Sequence, residues 1–319
     1  METIIGQDIS TAAQLLRDGQ TVGIPTETVY GLAANALDVD AIIQIFETKR
    51  RPTFDPLIVH THNLDTLGNY VRHIPETAQK LFAHFAPGPL TVLLPKKDII
   101  PDLVTSGLPR VAVRIPNHPM TLALLRSIDF PLAAPSANPF GYISPTTAEH
   151  VAAQLGGYIP YILDGGPCTI GVESTIIGLD DAGHCTVHRL GGLSLDDIRD
   201  VVGAVDIQLN TSSNPSAPGM LASHYAPRKK MLLGNIPTLI AKHRHQKIGL
   251  LTYQTATYQH ITHHEVLSAK GETHEAARNL FAAMRRLYNS DADIILAELL
   301  PEQHLGAAIN DRLRRAATK

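Results

Sequence analysis

Residues Leu209 to Lys230 read LNTSSNPSAPGMLASHYAPRKK, and no helix or strand period survives that density of Ser, Asn, Pro and Gly. The stretch reads as a linker, so the chain is expected to fold as two units, residues 1–208 and residues 231–319, joined by residues 209–230. A length of 319 residues also exceeds what one hydrophobic core usually serves, while the shorter piece is still large enough to bury a core of its own. The linker has one oddity. Within it, SHYAP places His224 and Tyr225 where a mere spacer needs neither a histidine nor an aromatic ring.

Both units alternate helical and extended patterns. STAAQLLRDGQ predicts a helix with Ser10 as its N-cap, Ala12, Leu15 and Leu16 on one face, and Gly19 at its end. TVGIPTETVYGLAANAL reads as a strand running into a Thr/Gly-rich turn. DVDAIIQIFETKR predicts a second helix with Ile42, Ile45 and Phe46 inward. PLIVH and RVAVRIP read as strands, as do the ends of PLAAPSAN and YILDGG. After the linker, KIGLLTY and ADIILAELL are strands, and THEAARNLFAAMRRLYN is a helix burying Ala277, Leu280, Phe281, Met284 and Leu287. The expected fold is α/β (α+β): a twisted mixed sheet with helices, then a linker, then a small Rossmann-like α/β domain.

Composition narrows the function. Hydrophobic residues at 44% and charged residues at 18% are ordinary for a soluble globular protein. A net charge of −3 argues against a surface that grips nucleic acid over its whole extent, though it leaves room for a local basic cleft. Cys168 and Cys185 have no CxxC spacing. The N-terminus lacks a basic start followed by an apolar run, and no apolar run approaches the roughly 20 residues of a membrane helix. A cytoplasmic protein is expected.

The most unusual chemistry lies in FETKRRPTFDPLIVHTH, where Lys49, Arg50 and Arg51 crowd together ahead of an apolar run and an acid-proline pair. Two readings stay open: cations closing a helix C-terminus before a proline, or a phosphate clamp combining a lysine point charge with a planar arginine fork. PLAAPSANPFGYISPT carries Ser136, Asn138 and Ser144 in a proline-interrupted loop, and DGGPCTIGVESTII carries Gly165, Gly166, Ser174 and Thr175. Each is ordinary turn material when taken singly. There is no GxxxxGK[ST] loop, no GxGxxG and no GxSxG elbow. The histidine pairs His60/His62, His243/His245 and His263/His264 lack HExxH spacing, so no metal site made of protein side chains is expected.

Taken together and in order, PTETVYGLAANAL, KRRPTFDPLIVH, PGPLTVLLP, VAVRIPNHP, PLAAPSANPFGYISPT and DGGPCTIGVESTII resemble the YrdC-domain family of threonylcarbamoyl-AMP synthases. PSAPGMLASHYAPRKKM and the terminal HLGAAINDRLRRAA resemble the long form of that family, which carries an extra C-terminal domain. The resemblance implies a YrdC-like catalytic domain and a nucleotidyltransferase activity. L-threonine, bicarbonate or CO2, and ATP with Mg2+ would be joined into threonylcarbamoyl-adenylate, releasing pyrophosphate. A downstream threonylcarbamoyl transferase complex would then modify an adenosine of tRNA, which this chain would meet at most indirectly.

By the same resemblance, the family's K-x-R and S-x-N elements fall on Lys49, Arg51, Ser136 and Asn138 as the catalytic tetrad. Threonine recognition falls on Thr26, Tyr30, His60, Arg114, Ala134 and Ser174. The ATP side takes Lys49, Thr53, Arg110, Ser136, Ser144, Arg189 and Tyr225, with His224 and Tyr225 expected to act as a lid. Two alternatives belong to other classes: an RNA-binding module on the same fold, and a carbamoyl-transfer domain. The second would be expected beside an acylphosphatase-like segment and CxxC pairs, and the sequence contains neither.

Overall fold

A computed structural model of the chain describes residues 1–180, 182–209, 229–259 and 261–318. Among these residues there are two sheets, one of eleven strands and one of four. The large sheet runs in the order Ile4–Gly6, Tyr161–Leu163, Val22–Ile24, Gly31–Asn35, Leu132–Ala133, Ile58–His60, Arg110–Arg114, Leu90–Pro95, Thr175–Leu179, Cys185–Arg189, Val205–Ile207. It mixes parallel and antiparallel pairs, as the scattered helix-strand alternation implies. The small sheet, Lys230–Leu233, Ile294–Ala297, Ile248–Thr252 and His263–Val266, is wholly parallel. Its strands are therefore joined by crossovers, among them the helix Thr273–Asn289.

Three local expectations change. The first helix, Ile9–Arg17, is capped by Asp8, whose carboxylate accepts from the Ser10 N–H. A full negative charge suits the positive end of a helix better than the Ser10 hydroxyl does. The segment TVGIPTETVYGLAANAL holds two strands, Val22–Ile24 and Gly31–Asn35, paired antiparallel around the Thr-rich turn. GLAAN escapes a sequence reading because small buried residues carry no β-branched signal. Lys49 closes the helix Val39–Lys49, and Arg50 caps it in the left-handed region at φ 52°, so only Arg51 stands in the turn proper.

The main core gathers Leu32, Ile42, Ile45, Phe82, Val92, Val113 and Ile177 beneath the large sheet. A second core belongs to the small unit, with Met231, Leu251, Phe281, Ile295 and Leu313, yet Val29, Ile143 and Val172 of the large unit are packed into it. Burying each of those three side chains contributes roughly 1.5–3 kcal/mol. They sit next in sequence to Thr28, Ser144 and Glu173, so the small unit is seated directly on the loops that build the site described below.

Gly171 makes the closest of these approaches. Its φ is +83°, and a Cβ there would stand 2.5 Å from the Arg278 Cα and 2.6 Å from the Ala277 carbonyl oxygen of helix Thr273–Asn289. Gly141, at φ +79° with nothing within 4 Å, offers the strain without the contact. Gly141→Ala should cost about 1 kcal/mol from backbone strain alone, and Gly171→Ala about 2–3 kcal/mol more. Urea unfolding followed by circular dichroism checks this, and equal losses for the two variants would mean that the helix does not bear on this loop.

Candidate active site

The floor of the site is a row across the large sheet. His60 and Arg114 are register partners on parallel strands, and Thr91 is the register partner of Arg114 on the other side. All three are buried. The His60 ring contacts the Ile58 carbonyl at 3.1 Å. Burial and the neighbouring Arg114 charge hold the imidazole down at about 3, so it is neutral over the physiological range. Arg114 Nε donates to the Gly88 carbonyl, and its Nη2 lies 2.7 Å from Glu27 Oε1. That contact is close but poorly aligned, and neither Arg114 Nη2 nor either Glu27 oxygen has a hydrogen-bond partner among the described residues. An ion pair that is buried but not saturated keeps capacity for a ligand's polar groups.

Around this floor lies a pocket of about 60 Å³, lined by Thr26, Arg51, His60, Arg114, Ala134, Ser136, Ser174 and Arg189 among others. The volume is far below the ~300 Å³ at which drug-sized pockets begin, so it fits a small polar head group. Thr26 stands in a hydroxyl-rich turn, donating to the Val29 carbonyl at 2.6 Å and lying 2.8 Å from the Thr28 hydroxyl. The Ala134 N–H donates to the Ile58 carbonyl at 3.0 Å. Ser174 is held by its neighbours: its Oγ is 2.7 Å from Thr91 Oγ1 and accepts from Arg189 Nη2 at 3.0 Å.

The basic element and the S-x-N loop meet although they are far apart in sequence. Lys49 is buried, and its Nζ donates to the carbonyls of Ser136 at 2.5 Å and Asn138 at 2.6 Å. Burial first, and the Arg51 charge second, push its pKa well below the usual lysine value. Arg51 pairs with Asp55 at 2.8 Å, donates to the Asp55 and Pro56 carbonyls, and lies over the Phe140 ring at 5.9 Å. The Asn138 amide nitrogen donates to the Pro139 and Tyr142 carbonyls, which fixes the loop. The four residues of the expected tetrad thus form one cluster, with Arg51 and Ser136 on the pocket wall.

The remaining expected residues divide. Ser144 is buried and donates to Glu173 Oε1 at 2.6 Å, behind the wall. The Tyr30 hydroxyl donates to the Gly166 carbonyl and accepts from the Gly165 N–H, bracing that glycine turn. Thr53 is exposed and offers its carbonyl to the Ser106 hydroxyl. Arg110 stands at the opposite end of its strand from Arg114, roughly 13 Å away, where it donates to the Leu179 carbonyl and faces a separate hollow with His73 and Asp180. His224 and Tyr225 lie outside the described residues.

Three buried residues of the site escaped the sequence reading. Glu27 and Glu173 both line or abut the pocket wall, inside blocks where Thr and Ser drew attention instead. Arg312, from the terminal helix Gly306–Ala316, pairs with Glu173 at 2.9 Å. Burial by itself would raise the Glu173 carboxyl, but the Arg312 and Arg189 charges and the Ser144 hydrogen bond outweigh it and hold the group at about 2. The available signal was an acid placed one residue before a buried Ser-Thr pair.

A small pocket floored by Arg114 and walled by Arg51, Arg189 and Glu173 has the make-up of a binding site for a small charged ligand. Residues 14–191 match the family model described as "Telomere recombination" (Sua5, YciO and YrdC proteins), and residues 193–318 match the threonylcarbamoyl-AMP synthase C-terminal domain. The chain belongs to the long-form threonylcarbamoyl-AMP synthases, enzymes in which a YrdC-type domain is followed by a Sua5 C-terminal domain. It is 41% identical to the threonylcarbamoyl-AMP synthase of Pyrococcus abyssi, over 97% of this chain and 94% of that one. It is 40% identical to the Bacillus subtilis enzyme, over 97% and 92%. The crystal structure of P. abyssi Sua5 complexed with L-threonine superposes with a TM-score of 0.93 at 40% identity, covering 99% of this chain and 98% of that one.

His60 carries a pH signature. Its folded pKa of about 3 lies below the ordinary 6.5, so its contribution to stability is complete above pH 6.5 and is lost as the pH falls from there toward 3. His60→Gln should remove about one proton from the acid-side slope, some 1.4 kcal/mol per pH unit between pH 6 and 4. Urea midpoints across that range measure it, and identical slopes would show that His60 titrates normally.

Proposed function

We propose that the pocket seats L-threonine and that the adjoining cluster of Lys49, Arg51 and the Ser136–Asn138 loop holds the phosphates of ATP. The chain would then form threonylcarbamoyl-adenylate from threonine, bicarbonate or CO2, and ATP. The observation that carries this reading is the meeting of Lys49 and Arg51 with the Ser136–Asn138 loop beside a pocket floored by Arg114. The P. abyssi relative, crystallised with L-threonine, supports the choice of amino acid.

Arg114 and Glu27 present opposite charges with unused hydrogen-bonding capacity, which suits the carboxylate and the nitrogen of an amino acid. The hydroxyls of Thr26 and Ser174 and the neutral His60 are placed to read the threonine hydroxyl, and a site built to pair a hydroxyl rejects analogues that lack one. The neutral threonine amine attacks CO2, an N–C bond forms as one C=O π bond opens to give the carbamate, and the amine proton passes to solvent. A carbamate oxygen of the product then attacks the α-phosphorus in line, a P–O bond forms, and the bond to the bridging oxygen breaks so that pyrophosphate leaves. Catalysis of this kind is positioning and charge stabilisation. Lys49 and Arg51 supply the charge, Ser136 and Asn138 hold Lys49 in place, and bound phosphates would favour the charged form of Lys49. We assign Arg189, which stands on the pocket wall beside Ser174, and Ser144, buried behind it on Glu173, to the nucleotide side. Arg110 and Thr53 would meet ATP only beyond this pocket.

No group of three or more His, Cys, Asp or Glu side chains among the described residues is arranged for a metal ion. Mg2+ fits the site as an ion carried on the triphosphate, the way it usually binds in nucleotide sites, where it shares the phosphate charge. No helix among the described residues is long and apolar enough to cross a membrane. We place the enzyme in the cytoplasm, handing its adenylate to a threonylcarbamoyl transferase that acts on tRNA. We assign residues 1–208 to the catalytic unit, 209–230 to the linker and 231–319 to the small unit.

Pyrophosphate release from ATP, measured with and without L-threonine and bicarbonate, tests the proposal. Release should require both co-substrates, and Lys49→Ala should lower it by 10²–10³-fold, the usual cost of one preorganised charge partner. Release indifferent to threonine would assign the fold another acceptor.

A further inference from the structure

The terminal helix Gly306–Ala316 sends one side chain out of the small unit and into the back of the pocket. Arg312 is fully buried there. Its Nε and Nη2 donate to Glu173 Oε2 at 3.1 and 2.9 Å, and its Nη1 donates to the Leu190 carbonyl. Glu173 and Leu190 are the chain neighbours of Ser174 and Arg189, which are themselves joined at 3.0 Å on the pocket wall. One guanidinium therefore holds the Glu173 side chain on one side of that pair and the Leu190 backbone on the other. The other Glu173 oxygen is engaged by the Ser144 hydroxyl at 2.6 Å.

Charge makes this arrangement more than a brace. Glu173 lines a pocket whose other charged walls are Arg51, Arg114 and Arg189, a setting suited to anions. A carboxylate left uncompensated there would repel a substrate carboxylate and a triphosphate alike. With Arg312 in place Glu173 is held ionised, and the guanidinium that keeps it so, 2.9 Å away, also cancels its charge. A buried guanidinium is also an expensive way to fill space, since well-packed apolar residues of similar volume usually stabilise at least as well.

We propose that Arg312 is a positioning residue, which neutralises Glu173 and fixes the Ser174–Arg189 wall, so that the C-terminal unit completes the active site. The inference rests on the threonine and ATP reading above. Arg312 touches neither substrate; it acts through Glu173 and Leu190.

The test uses the full-length chain carrying Arg312→Met, Arg312→Lys, and Arg312→Met combined with Glu173→Gln. Threonine binding by calorimetry is read alongside pyrophosphate release, with circular dichroism as the check on folding. Arg312→Met should bind threonine at least tenfold more weakly, and Arg312→Lys, which keeps the charge but loses the fork, about threefold more weakly. In Arg312→Met the released Glu173 should titrate in the accessible range, so binding recovers as the pH falls from 8 to 5.5. Adding Glu173→Gln should restore at least threefold of the lost affinity and abolish that pH dependence. A folded Arg312→Met with wild-type affinity overturns the inference. So does a loss that is independent of pH and not relieved by Glu173→Gln, because a purely structural role predicts that pattern. If Arg312→Met does not fold, Arg312→Lys decides by the same affinity measurement. Wild type serves as the control: absence of threonine-dependent release from it sinks the synthase reading itself, whereas a normal wild type beside an unimpaired variant sinks only the role of Arg312.

Discussion

Placing several cations inside a protein is the constraint around which this molecule is arranged. Lys49, Arg51, Arg114, Arg189 and Arg312 are all buried. A buried cation is tolerable only when carboxylates or carbonyls take the place of water, and removing such a partner typically costs about 3–5 kcal/mol. Each loop at the site answers that need. The Ser136–Asn138 turn offers carbonyls to Lys49, Asp55 and Pro56 receive Arg51, Glu27 faces Arg114, the Ser174 backbone and hydroxyl receive Arg189, and Glu173 receives Arg312. The prolines and glycines that crowd these segments hold the backbone where those oxygens converge.

The sheet supplies the rigidity that such an array requires. His60, Arg114 and Thr91 sit side by side because their strands are in register, and register in a buried sheet cannot slip without turning every side chain to the other face. Opposite this floor, the small unit closes the back of the site. Val29, Ile143 and Val172 enter its core, Arg285 donates to the Ile143 carbonyl and to Gln154, and Gly171 lies against the helix Thr273–Asn289. A domain that sequence shows only as an appended α/β unit is thereby in contact with the loops carrying the site's hydroxyls and carboxylates.

Much of this was readable from local patterns. The helix Thr273–Asn289 matches its predicted segment residue for residue, and its five expected core positions are buried. The strands Ile58–His60 and Arg110–Arg114 lie where β-branched runs and alternation placed them. The expected residues Thr26, His60, Arg114, Ala134 and Ser174, drawn from five separate motif blocks, line one pocket. Other features left no local trace. The Gly31–Asn35 strand is made of small residues without β propensity, and Glu27 and Glu173 read as turn acids because nothing nearby in sequence reveals a buried cation across the fold.

Sequence alone determined the helix and strand segments that carry a period of 3.6 or 2, and the identity of the basic and hydroxyl-rich elements. These follow from near-neighbour chemistry. Tertiary structure alone decided which elements meet: that Lys49 reaches carbonyls 87 and 89 residues away, that Arg110 lines a separate hollow while Arg114 floors the pocket, and that Arg312 pairs with Glu173 across 139 residues. Such pairings depend on sheet order and domain docking, which are set by the burial of many side chains at once and so cannot be read from any single stretch of the chain.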